Sequence, residues 1–168
     1  ILDRERIEAD FELPDFAAHY RHADDWGHVQ LAAILRQLRW ADTGDDALDL
    51  SGEETGWGFN LSTNLRLGPH VFRGSLVHGE GIQNYLNDAN ADIDVVLAPV
   101  DPRPFRGEAI PVTGAVAFLD LKWNEHWSST LGYSIQKNDL PALSTPESFE
   151  TGEYALVNLL YHPHPRVL

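Results

Sequence analysis

Read as extended segments, this chain gathers five cations on one strand parity with a single acid among them. Side chains alternate faces along a strand. On that count Arg21, Arg36, Arg66, Arg73 and Lys122 share a face with Gln30, Asn60, Asn64, His19, His28, Thr130 and Asn158, and Asp120 is the one acid there. The chain carries 12 Lys and Arg against 26 Asp and Glu, a formal charge of −14. A basic row inside so acidic a protein is a segregation and does not follow from composition. Cationic groups lining a passage favour anions, and guanidinium pairs carboxylates bidentately. The chemistry indicated is conduction of small anionic solutes. Arg36, Arg66 and Arg73 would raise the local anion concentration, while acidic loops would lie outside the narrowest point.

Other constellations are weaker. No Gly-x-Ser-x-Gly occurs, so a hydrolase has no motif behind it, and no enzyme is expected. His19 and His28 lack a third ligand. Asp88, Asp92 and Asp94 lack the Gly and closing Glu of an EF-hand. His162 and His164 stand in a Pro-punctuated turn. Neither a metal nor a cofactor is expected. Cysteine is absent, which excludes disulfides and thiolate sites. The negative charge argues against a nucleic-acid partner.

The elements that must position these residues are long strands. Trp57, Phe59, Leu61, Thr63 and Leu65 alternate with Gly58, Asn60, Ser62, Asn64 and Arg66. The segment from His28 to Trp40 alternates likewise. Strands are expected at 16–22, 28–40, 57–67, 71–79, 112–123, 127–136 and 154–161, with an eighth beginning at Arg166. Residues 1–14 read as a loop. The 80–108 stretch, with Pro99, Pro102 and Pro104, reads as a long connection with helix only near 82–87. Connections alternate short and long, so all short turns fall at one end. That is the pattern of a transmembrane β-barrel. Parity assigns Val29, Leu31, Leu35, Phe59, Leu61, Leu65, Leu119, Leu131 and Val157 to the lipid side. Trp26, Trp123, Trp127 and Tyr161 near the short turns, and Trp40, Trp57 and Tyr133 near the long loops, would form two aromatic girdles. No apolar run approaches the roughly 18–20 residues of a transmembrane helix, which does not bear on a barrel.

Several pieces in order resemble the DcaP-like outer-membrane porins of Gram-negative bacteria. They are Asp15–Arg21, Trp26–Arg36, Arg73–Ile82, Tyr85–Asp88, Trp127–Tyr133 and Gly152–Ala155. The resemblance covers roughly residues 13–165. It implies a homotrimeric barrel of many more strands in the outer membrane, passing small anions such as dicarboxylates. The chain is similar to the C-terminal part of that family. It lacks Met at position 1 and stops at Leu168 in mid-strand, so residues 1–168 are expected to be one domain, part of an outer-membrane β-barrel. The expected fold is thus all-β: an antiparallel up-and-down meander forming a partial barrel. Two other readings are a soluble β-barrel or sandwich binding an apolar small ligand, and an outer-membrane enzyme with a loop-borne site.

Overall fold

A computed structural model describes residues 7–10, 12–45, 49–86, 91–98, 105–144 and 148–163. Among these the chain is all-β apart from one 3-10 turn, Gln83–Tyr85. The strands are β1 (Ile7–Asp10), β2 (Phe16–Asp24), β3 (Gly27–Asp42), β4 (Gly52–Leu67), β5 (His70–Glu80), β6 (Ile93–Leu97), β7 (Phe105–Ala109), β8 (Pro111–Lys122), β9 (Trp127–Asn138), β10 (Thr151–Val157) and β11 (Leu160–Tyr161). Nine form one antiparallel sheet, and β6 with β7 makes a separate hairpin. The lateral order is a meander: β3, β4, β5, β8, β9. β1 and β2 lie end to end along β3, and β10 and β11 lie end to end along β9. At 16 residues each, β3 and β4 run about 50 Å at roughly 3.3 Å per residue. No pairing joins β1 or β2 to β10 or β11 among the described residues, so the described sheet is open and does not close into a barrel.

Two tight turns fix the register of the first two hairpins. Asp24 faces Gly27 across Asp25-Trp26, and Leu67 faces His70 across Gly68-Pro69. Gly68 has φ 63°, as the first central position of a II′ turn requires, and Pro69 suits the second. Gly27 has φ 126°, and a Cβ there would lie 1.9 Å from the Asn64 carbonyl oxygen. At Gly68 a Cβ would meet nothing within 4 Å. Gly27→Ala is therefore expected to cost at least about 2 kcal/mol and Gly68→Ala about 1 kcal/mol. Urea midpoints of the two variants, compared with the unsubstituted protein under the same conditions, check the order.

Register also sorts the side chains. Tyr20, Leu31, Leu61, Leu76, Ala115 and Ile135 form one cross-strand row, and Leu65, Phe72, Leu119, Leu131 and Val157 form another on the same face. Phe16, Leu35 and Trp57 make a third. Large apolar side chains here are open, with Leu31 51%, Leu61 46% and Phe59 52% exposed. The apolar band is bounded above by Gln37, Arg39, Glu53 and Thr55 on β3 and β4, by His78 and Glu80 on β5, by Lys137 on β9 and by Glu153 on β10. It thus begins at the Leu35–Trp57 row on β3 and β4. On β5, β8 and β9 it begins lower, at Leu76, Ala115 and Ile135. The band therefore slants across the hydrogen-bonded rows. On β4 it runs from Trp57 to Leu67, roughly 33 Å along the strand.

The buried apolar core lies on the other face. Leu38, Ile82, Ala98, Ala109, Ile110 and Val112 are buried where residues 81–86, 91–98 and 105–110 fold back over the upper sheet. Two expectations need correcting. Residues 1–14 are not all loop, because Ile7–Asp10 pairs with Arg39–Asp42. The long connection is not a plain loop with a helix, because Ile93–Leu97 and Phe105–Ala109 form a hairpin, with the prolines between them. The 3-10 turn falls within the expected 82–87 stretch. The strand expected from Arg166, and Asp88 and His164, lie outside the described residues.

Candidate functional site

The polar parity becomes a set of rows on the face opposite the apolar band. Nearest the short turns, Arg66, Val71, Asp120 and Thr130 stand side by side. Next come His28, Asn64, Arg73 and Phe118. Above them lie Arg21, Gln30, Ser62, Ser75 and Val116, then His19, Ala32, Asn60 and Val77. Lys122 faces Ser128 at the short-turn end. Arg21, Gln30, Asn60, Asn64, Arg66, Arg73 and Lys122 therefore all lie on one face, and Arg36 shares it, opposite Gly56.

Hydrogen bonds organise this surface. Asn60 Nδ2 donates to Ser75 Oγ at 2.9 Å. Thr130 Oγ1 donates to Asp120 Oδ1 at 2.9 Å, and Arg73 Nη2 lies 2.9 Å from Asp120 Oδ2. Asn158 interrupts β10 and β11, its backbone N–H donating to the Thr130 carbonyl while its side chain accepts from the Thr130 N–H. Among the described residues no carboxylate lies within ion-pair range of Arg21, Arg66 or Lys122. Four cations thus face Asp120 in the lower part of the sheet, which leaves a net positive surface there.

The upper part is different. Arg36 is buried, 8% exposed. Its Nε donates to Asp15 Oδ2 at 3.0 Å, and its Nη1 donates to Asp92 Oδ2 at 2.9 Å and to the Gly81 carbonyl at 2.8 Å. Its guanidinium carbon sits 5.0 Å from the Tyr85 ring centroid, a cation–π distance. Arg36 is therefore not the open cation that parity implied. Two carboxylates from segments expected to be remote outweigh its charge, so the acidic loops do reach this level. Breaking such a buried pair typically costs about 3–5 kcal/mol. Glu54, opposite Leu38, also shares this face, so Asp120 is not its one acid.

Small residues make the seat for the connection. Gly58 and Gly79 face each other, and a Cβ on either would come within 2.9 Å of Ile82 Cδ1. Gly56 lies under Gly81, where a Cβ would be 2.8 Å from the Gly81 carbonyl oxygen. Glycine inside a strand marks a close approach of another backbone. The segment is then tied by Gly81 N–H to the Ile110 carbonyl at 3.0 Å, Ile110 N–H to the Asp92 carbonyl at 3.0 Å and Asn84 N–H to Asp92 Oδ1 at 2.8 Å. Gln83 is fully buried and donates to the Ile110 carbonyl at 2.8 Å. The β6–β7 hairpin spans the sheet. Gly107 packs under the Trp40 ring, while Asp94 accepts a hydrogen bond from the Ser144 hydroxyl in the β9–β10 connection. Trp40 consequently belongs to this covered face and not to the outer girdle, whereas Trp57 and Tyr133 stand on the apolar face.

The Tyr85 hydroxyl donates to Asp15. That bond first, and burial second, holds the phenol above its usual value. The contact therefore contributes fully below the ordinary tyrosine range, near pH 10, and is lost as pH rises through the raised value. Ultraviolet titration is expected to lose one late-ionising tyrosine in Tyr85→Phe.

Sequence pattern does not mark Asp15, Tyr85 or Glu54 as site residues, and it weighs Asp92 only as part of a calcium loop. The signal that locates the seat is the glycine spacing Gly56-x-Gly58 and Gly79-x-Gly81. Among the described residues no group of three His, Cys, Asp or Glu could hold a metal ion. Comparison with protein-family models, curated proteins and solved structures returns no match.

Proposed function

We propose that this chain forms one wall of an outer-membrane diffusion porin for small anionic solutes, of the DcaP-like kind that its sequence resembles. The carrying observation is the open apolar band, roughly 33 Å along β4 and slanted across the strand rows, on the face opposite the polar side chains; at the roughly 40° tilt of barrel strands it would stand about 25 Å high. A soluble sandwich would cover that face with a second layer, and none of the described residues do so. In this reading lipid of the bacterial outer membrane meets Leu31, Phe59, Leu61 and Leu131, while Gln30, Asn60, Asn64, Arg66, Arg73 and Lys122 meet water. Closure uses further strands pairing with the outer edges of β2 and β10, since an open edge within a bilayer leaves unpaired backbone groups. The described parts of the connection, 81–86, 91–98 and 105–110, narrow the upper lumen, and the lower cations set its preference for anions. Nothing is catalysed. Reconstitution in planar bilayers tests the proposal. Stepwise ohmic conductance with a reversal potential on the anion side is expected. A protein that folds without detergent or lipid and produces no conductance overturns it.

A further inference from the structure

We infer that Arg36 is a positioning residue, the latch that holds residues 81–86 and Asp92 against the wall and so sets the width of the conduit and not its charge preference. The inference rests on the porin reading, but its geometry stands on contacts already described. A permeation cation needs an open face toward the solute. Arg36 has none, with its Nε committed to Asp15 and its Nη1 to Asp92 and the Gly81 carbonyl. These partners come from three separate places: the residue before β2, the residue after β5 and the residue before β6. One planar guanidinium therefore joins the wall strand β3 to the start and end of the inward-folded segment. Tyr85 closes over it and also bonds Asp15. The glycine seat under Ile82 gives the segment a place to rest through small apolar contacts, and the hydrogen bonds to the Ile110 carbonyl tie it to the residue ahead of β8, so the directional restraint to β3 is the arginine.

A charge-conserving change separates the two roles. Lysine keeps the charge but is a single point donor without the fork, and it cannot hold Asp15, Asp92 and the Gly81 carbonyl in one plane. In Arg36→Lys, amide hydrogen exchange at Gly81, Asn84 and Ile110 is expected to accelerate by about tenfold or more, reporting local opening. In the same variant unitary conductance is expected to rise by about half or more with an unchanged reversal potential, since charge still governs selectivity. Gly58→Ala reaches the same end from the wall side, because its Cβ would lie 2.5 Å from Ile82 Cδ1. It is expected to loosen the same amides with no change of charge. Exchange and conductance both unchanged in Arg36→Lys would overturn the inference, as would a shifted reversal potential at unchanged exchange. Accelerated exchange in a protein that conducts in neither form would uphold the latch and overturn the porin reading.

Discussion

Leu61→Arg is expected to cost about 2–4 kcal/mol of folding free energy in a phospholipid bilayer, while Ser62→Arg, one residue along, should cost less than about 1 kcal/mol. Leu61 stands in the middle of the apolar band, flanked across strands by Leu31 and Leu76 and half exposed. An arginine there must either carry its guanidinium into hydrocarbon or bend the strand and bilayer to reach the headgroups. Ser62 faces the opposite way, between Gln30 and Ser75, where a cation joins an already polar surface. The contrast is a direct readout of which side meets lipid, because a one-residue step changes face and nothing else. Reversible folding into vesicles, followed by denaturant titration, gives the two values. Equal costs, or a larger cost at Ser62, would mean the apolar face does not meet lipid. The same measurement in detergent-free buffer would then favour a soluble sheet with an apolar ligand on that face.

The facing pattern was legible because period-two alternation survives wherever one side of a strand meets an apolar medium and the other meets water. Trp57 to Arg66 is the clearest case, and its register with β3 and β5 pairs Leu with Leu on one face and polar with polar on the other. The pattern gives too little signal in a short strand. Ile7–Asp10 pairs with the extension of β3 above the band, and there Ile7 and Ala9 alternate with Glu8 and Asp10, but four residues are too few for the alternation to mark a strand. The β6–β7 hairpin was hidden for another reason. Three prolines in the sequence between its strands read as one long break, whereas Ile93–Leu97 and Phe105–Ala109 on either side of them pair. Arg36 illustrates the limit for the site. Parity correctly predicts its face, yet parity cannot say that Asp15, 21 residues earlier, and Asp92, 56 residues later, arrive beside it. Long-range pairing of charges depends on a connection folding inward. The local hint of that folding is the run of facing glycines and not any feature of the acids.

The triple variant Arg66→Ala, Arg73→Ala, Lys122→Ala is expected to lower the anion-to-cation permeability ratio by about tenfold at 0.1 M salt. A unit charge about 8 Å from a permeating ion in water contributes roughly 0.5 kcal/mol. Screening at a Debye length of about 10 Å reduces that to about 0.2 kcal/mol. Three such charges sum to about 0.7 kcal/mol. They act in opposite directions on anion and cation, so the ratio moves by about 1.4 kcal/mol, close to a factor of ten. Arg73 adds to this although it is paired, because removing it leaves Asp120 uncompensated 2.9 Å from where the guanidinium was. Arg36 is left out of the set, since its two carboxylate partners already outweigh its charge. Raising the salt to about 1 M shortens the Debye length to about 3 Å and should shrink the effect to within about twofold. Reversal potentials across a salt gradient measure the ratio at both concentrations. A ratio unchanged at 0.1 M would place these three cations off the conduction path, and the polar face would then be a solvated surface of the sheet and not the lining of a pore.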